Sequence, residues 1–167
     1  MVIRNQNGDS TYIDFRETAP SAANPYMWNL DSEGIVIDKA NESGGKSVAV
    51  PGQVAGLIYA FEKYGSGNLT LEEVMTPAIN LAQNGYYVTP SLLKDMLSVE
   101  EMMEKYPELK KLILNKDGSY YKVGDLYKSE ELANTLKLIA KEGKDAFYTG
   151  EIAKSIVDSA KKYGGII

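Results

Sequence analysis

The sequence predicts an α+β chain that is mostly α: a short N-terminal β-hairpin followed by a helical array. Three observations predict it. Residues 2–15 hold two β-prone runs on either side of an Asn-Gly pair, the commonest short-range hairpin signal. From Pro51-Gly52 onward, apolar residues recur with a period near 3.6, interrupted by capping residues, Pro and Gly. Finally, 44% hydrophobic and 25% charged residues over 167 positions supply enough apolar surface to bury a core.

The hairpin strands are Val2-Ile3-Arg4 and Thr11-Tyr12-Ile13-Asp14-Phe15, joined by Asn5-Gln6-Asn7-Gly8-Asp9-Ser10. Residues 19–52 are rich in Pro, Ser, Asn and Gly without periodicity, so they are expected to form a long loop that is either functional or partly disordered. The helical region is 53–167, and residues 1–167 read as a single helical-rich stretch. Its first helix places Val54, Leu57, Ile58 and Phe61 on one face and stops at Gly65. Thr70 and Glu73 form a capping box whose turn runs into Pro77, and Thr76-Pro77 opens a second helix ending at Asn84-Gly85. Thr89-Pro90 repeats that start signal for a stretch carrying Leu92, Leu93, Met96, Met102 and Met103, the methionines read as core filling. Pro107 opens a short helix ending near Leu114, and Asn115-Lys116-Asp117-Gly118 makes a turn toward Tyr120-Tyr121-Lys122-Val123. Ser129 caps a helix carrying Leu132, Leu136, Ile139 and Ala140, closed by Gly143. Ile152, Ala153, Ile156, Val157 and Ala160 mark the last helix, closed by Gly164. Ile166-Ile167, two apolar β-branched residues at the final carboxylate, read as a cut inside a larger protein.

Composition excludes several chemistries. With no Cys and no His, the chain has no thiolate, no disulfide and no imidazole base, so a Ser-His-Asp or Cys-His centre within it is ruled out. A net charge of −5 argues against nucleic acid as a partner, because phosphate binding needs clustered cations. No apolar run reaches the roughly 20 residues that span a bilayer, and Met1-Val2-Ile3-Arg4 lacks the apolar stretch of a secretory signal.

Four groups of residues invite a functional reading. Gly44-Gly45-Lys46-Ser47 resembles the end of a phosphate-binding loop, but Ala40 stands where that motif needs Gly, so a loop is expected. Ser91-Leu92-Leu93-Lys94 has Ser-x-x-Lys spacing but follows Thr89-Pro90, where Ser is ordinary helix-start chemistry. Glu100, Glu101 and Glu104 read as a solvated face. Arg16 is different: it is one of two arginines among 18 basic residues, at the end of a strand where the chain leaves for a long loop. A guanidinium grips a carboxylate through two parallel hydrogen bonds. That carboxylate is either a ligand's or an internal one, Asp14 or Glu17.

Asp14-Phe15-Arg16-Glu17-Thr18-Ala19-Pro20, Val50-Pro51-Gly52-Gln53-Val54-Ala55-Gly56-Leu57 with Glu62-Lys63-Tyr64-Gly65, and Pro77-Ala78-Ile79 with Leu81-Ala82 and Gly85 form an ordered set. It continues through Gly124-Asp125, Leu132-Ala133-Asn134-Thr135-Leu136, Phe147-Tyr148-Thr149-Gly150-Glu151-Ile152-Ala153 and Gly164-Gly165. In these blocks the chain resembles the middle part of the large subunit of a gamma-glutamyltransferase (gamma-glutamyltranspeptidase), an N-terminal-nucleophile hydrolase.

The resemblance implies a fragment of a four-layer αββα sandwich and, in the parent protein, acyl transfer from gamma-glutamyl amides such as glutathione to water or an amine. It implies an autoprocessing zymogen whose small subunit begins with the nucleophilic threonine, whose own amine serves as base. It places Arg16 on the arginine that grips the α-carboxylate of the glutamyl group and Glu17 on its acidic neighbour. No catalytic residue, cofactor or metal is expected within this chain, which alone should be inactive. The expected partners are the gamma-glutamyl substrate and the remainder of the large and small subunits, and the parent is expected to be exported, periplasmic or extracellular. A relative acting on poly-gamma-glutamate or a cephalosporin side chain is an alternative, as is a non-catalytic helical interaction module. A fragment of a sandwich exposes apolar surface, so self-association through the hairpin or Ile166-Ile167 is expected.

Overall fold

The computed structural model describes residues 1–167. Helices dominate and the sheets are small: seven α-helices, several 3-10 turns and two two-stranded antiparallel sheets. The residues pack as two compact units, Met1–Val74 with Leu138–Ile167, and Met75–Lys137. No local composition break marks this division, because its boundaries fall inside helices.

In the first unit, β1 (Val2–Arg4) pairs with β2 (Ser10–Tyr12) in the register Val2↔Tyr12, Ile3↔Thr11 and Arg4↔Ser10. The Asn-Gly turn forms as expected, with Gly8 at φ 93° and Asn7 Oδ1 accepting from Asp9 N at 3.1 Å. The second strand is shorter than the β-prone run suggests, since ladder pairing gives way after Ile13, whose N–H donates to Met1 O at 2.9 Å.

The 19–52 segment is closed at its base by a Thr18↔Val50 bridge. Within it lie a Leu30↔Val36 bridge and 3-10 turns at Ile37–Lys39 and Gly45–Ser47.

Helix α1 (Gln53–Tyr64) forms where the 3.6-residue period begins. Its buried residues are Gly56 and Ile58, whereas Leu57, expected on the core face, is exposed. Ile58 on the expected stripe and Gly56 on the opposite side are both buried, so α1 is covered on two faces, the second by the close approach of Phe15 to the glycine. The unit's core continues through Ile139, Ala140, Ala146 and Ala160. Helix α6 (Lys144–Tyr148) packs on α1 and on α7 (Glu151–Lys162), and α7 supports the Gly45–Ser47 turn. The last helix carries its apolar stripe and ends at Gly164, φ 78°, as the sequence predicts.

Helix α2 (Leu71–Asn84) corrects one expectation: it begins at the capping box and runs through Pro77 instead of starting there. Thr70 N donates to Glu73 Oε2 at 2.7 Å and Glu73 N to Thr70 Oγ1 at 3.2 Å, so both partners of the box are engaged. Proline removes one interior hydrogen bond, to the Glu73 carbonyl. The box and the burial of Ile79 and Ala82 outweigh it.

The second unit buries Ile79, Ala82, Val88, Met96, Ile113 and Ala133. Met96 fills the core as expected, but Met102 is exposed. Helix α3 (Pro90–Leu97) is capped by Thr89, which accepts from Leu92 N at 3.2 Å. Pro107–Leu109 is a 3-10 turn leading into α4 (Lys110–Ile113). The turn after it closes with Asn115 N donating to Ser119 O at 2.8 Å. A pairing the sequence does not announce joins β3 (Tyr86–Tyr87) to β4 (Leu126–Tyr127). Gly85, φ 94°, makes it possible, since a Cβ there would meet Tyr127 O at 2.8 Å. Helix α5 (Glu130–Glu142) is capped by Ser129 and closed by Gly143 as expected, but it buries Ala133 and leaves Leu132 exposed.

Candidate functional site

Arg16 is held by its neighbours before its own side chain is considered. Asp14 Oδ1 accepts from Arg16 N at 3.1 Å, a local turn that an Asp side chain favours. Thr18 N donates to Val50 O at 3.1 Å and Val50 N to Thr18 O at 2.9 Å, pinning the far end of the segment. From behind, the N-terminus of α1 presses on the backbone. A Cβ at Gly52 would stand 2.5 Å from Phe15 O and 2.7 Å from Arg16 O, and one at Gly56 would stand 2.2 Å from Phe15 Cβ and Cγ. Both positions need Gly because another strand of chain occupies the space a side chain would take.

This arrangement fixes the backbone of residues 13–18 and leaves the functional group in solvent. The Arg16 side chain is 82% exposed and pairs with Glu17, with Nη2 to Oε1 at 2.8 Å and Nε to Oε2 at 3.4 Å. Of the two internal partners left open by the sequence, the guanidinium takes Glu17, while Asp14 binds the Arg16 backbone. The hydrogen bond from Arg16 holds the Glu17 carboxyl below its ordinary range, and Glu17 in turn raises the Arg16 guanidinium. The pair occupies the side-on edge of the guanidinium, leaving the end-on edge between Nη1 and Nη2 for a second carboxylate.

Both residues line a shallow depression of about 610 Å³ with Asp14, Ser47, Gly52 and Gln53. The N-terminus of α1, whose N-cap Gly52 has no side chain, borders it, and the helix dipole offsets part of the negative charge that Asp14 and Glu17 bring beside Arg16.

The other residue groups fall where their structural readings put them. Ser91 and Lys94 lie exposed on α3, whose cap is Thr89. Gly45 is buried and donates to Tyr163 O at 3.0 Å, and Lys46 Nζ donates to Met27 O at 3.2 Å, so the Gly-Gly-Lys-Ser segment serves loop packing. Glu100, Glu101 and Glu104 are exposed, with Tyr120 donating to Glu100.

A larger depression of about 880 Å³ in the second unit had no sequence signal beyond the Asn115–Gly118 turn that forms part of its wall. Its lysines and carboxylates are mixed in sign. Asp117 accepts from Ser119 N and Oγ at 2.9 and 2.7 Å, and Asp125 from Lys122 N at 2.8 Å, so these acids serve turn formation. Arg16 combines a planar fork, a fixed backbone and a helix N-terminus, which makes the smaller depression the candidate site.

The family model described as gamma-glutamyltranspeptidase matches residues 1–167. The chain belongs to the gamma-glutamyltranspeptidase family. A glutathione hydrolase proenzyme of Pseudomonas sp. (strain A14) is 38% identical over 167 residues, covering all of this chain and 28% of that protein. The gamma-glutamyltranspeptidase of Helicobacter pylori superposes with a TM-score of 0.91 at 38% identity, covering all of this chain and 47% of that one. The enzyme from Pseudomonas nitroreducens, solved in complex with L-DON, does so at 0.85 and 34%, covering the same shares. The gamma-glutamyltranspeptidase family is one of enzymes, and this member spans about a quarter to a half of the length of these relatives. No helix is long and apolar enough to cross a membrane.

Proposed function

We propose that the chain supplies the carboxylate-binding part of a gamma-glutamyl-transferring enzyme: Arg16 grips the α-carboxylate of the glutamyl group, and Glu17 orients the guanidinium. The observation that carries this is Arg16 itself, backbone-fixed and solvent-facing, with its end-on edge free beside the N-terminus of α1. The family assignment over residues 1–167 supports the substrate class.

In this reading the reaction is acyl transfer. A hydroxyl attacks the gamma-amide carbon, the amide C–N bond breaks with its nitrogen leaving protonated, and the acyl group passes to water or an amine. The attacking threonine and its free amine belong to polypeptide outside residues 1–167, so the chain alone is inert. The parent is a four-layer αββα sandwich, and its small subunit completes the site. Glutathione is the favoured donor, following the glutathione hydrolase relatives, and an exported parent fits the same family.

The test is Arg16→Lys in the full-length protein, assayed with a gamma-glutamyl anilide. An ammonium keeps the charge and loses the fork. KM should rise about 10- to 100-fold, a loss of about 1.4–2.8 kcal/mol of binding, with kcat changed far less. An unchanged KM would remove Arg16 from the substrate site.

A further inference from the structure

The N-terminus of α1 cannot carry its own capping side chain. Gly52 is the N-cap residue, and a Cβ there would stand 2.5 Å from Phe15 O and 2.7 Å from Arg16 O. The third N–H of the helix, at Ala55, would ordinarily be taken by that missing side chain. It is taken instead from α6: Tyr148 Oη accepts from Ala55 N at 3.1 Å and donates to Pro51 O at 2.7 Å. Tyr148 is half-buried, and its single hydroxyl ties together both flanks of Gly52. Gly52 is the surface on which the Phe15 and Arg16 carbonyls rest.

Resting on the reading of Arg16 given above, we propose that Tyr148 is a positioning residue for glutamate binding: its hydroxyl sets the Pro51–Gly52 backbone that holds the Arg16 backbone in register with the depression. Tyr148 does not line that depression and acts only through the peptide chain. Without the hydroxyl, Ala55 N–H and Pro51 C=O lose a shared partner in a part-buried place, and the first turn of α1 is free to shift against Arg16.

The experiment is a double-mutant cycle in the full-length protein, with Tyr148→Phe, Arg16→Lys and the pair, reading KM and kcat for a gamma-glutamyl anilide and the melting temperature of each. Y148F should raise KM about fivefold to tenfold with kcat within about twofold, and the double variant should have the KM of R16K alone. That non-additivity on KM is what a merely structural hydroxyl would not produce. If R16K raises KM while Y148F leaves it unchanged, or the two effects multiply, the role of Tyr148 is overturned and that of Arg16 stands. If R16K itself leaves KM unchanged, the reading of Arg16 falls, and this inference falls with it. Should Y148F not accumulate as folded protein, Gly52→Ala tests the same linkage with the phenol intact, since its Cβ meets the Arg16 carbonyl directly. A KM rise at near-constant kcat supports the linkage, and an unchanged KM overturns it.

Discussion

Glu17 sets the terms on which Arg16 meets an anion. The two are adjacent in sequence, the pair is exposed, and its hydrogen bond depresses the carboxyl and raises the guanidinium. The sign of the pH dependence follows. A carboxyl whose folded-state pKa lies below its unfolded value near 4.5 contributes stability above that pH and loses it as pH falls through the folded value. Arginine stays charged throughout, so only the acid limb exists. An NMR titration of the Glu17 side-chain carbon should therefore find a midpoint below 4.5, moving back toward it in Arg16→Lys. A midpoint at or above 4.5 in the unaltered chain would show that the pair does not persist in solution. Arg16 stood out in the sequence because arginine is scarce and strand ends carry binding groups. Its choice of Glu17 over Asp14 could not be read there, since both lie within two residues.

Among the elements, α2 shows how competing local signals are resolved. The capping box at Thr70 and the Thr76-Pro77 start signal are both legible, and only the first becomes a terminus. An interior proline costs about 3 kcal/mol, while its stiffening of the unfolded chain returns about 1 kcal/mol. Pro77→Ala should therefore stabilise the protein by about 2 kcal/mol in urea unfolding, the difference between those two effects. A loss of stability would mean that tertiary packing requires the bend proline permits. Helix α1 shows another case: Ile58 buries the apolar stripe as its spacing predicts, Leu57 at the margin of that stripe is exposed, and Phe15 seats on Gly56 to make a second buried face. Hydrophobic periodicity counts apolar side chains and is blind to a face buried by the absence of one.

For the molecule as a whole, the apolar residues left outside matter as much as the core. Val2 and Tyr12 stand opposite each other on the hairpin and are 75% and 67% exposed, on a two-stranded sheet with both edges unpaired. Ile166 and Ile167 are half-buried, so of the two expected association points the hairpin is favoured. The purified chain should show no turnover of a gamma-glutamyl anilide, and light scattering should give a concentration-dependent mass above 18.4 kDa. Val2→Lys with Tyr12→Lys should lower that mass. A clean monomer at all concentrations would contradict the association, and measurable turnover would contradict the assignment of the nucleophile to other polypeptide.

The sequence by itself determined the hairpin turn, the caps at Thr70, Thr89 and Ser129 and the helix ends at Gly143 and Gly164. These depend on hydrogen bonds and backbone freedom within a few residues. The family was legible as well, because its blocks recur in order along the chain. Only the tertiary structure decided that α1 has a second buried face at Gly56, that β3 and β4 pair, and that Tyr148 caps a helix beginning at Gln53. The Tyr148 bond to Pro51 crosses 97 residues, and a contact between distant partners leaves no mark in the local pattern of either.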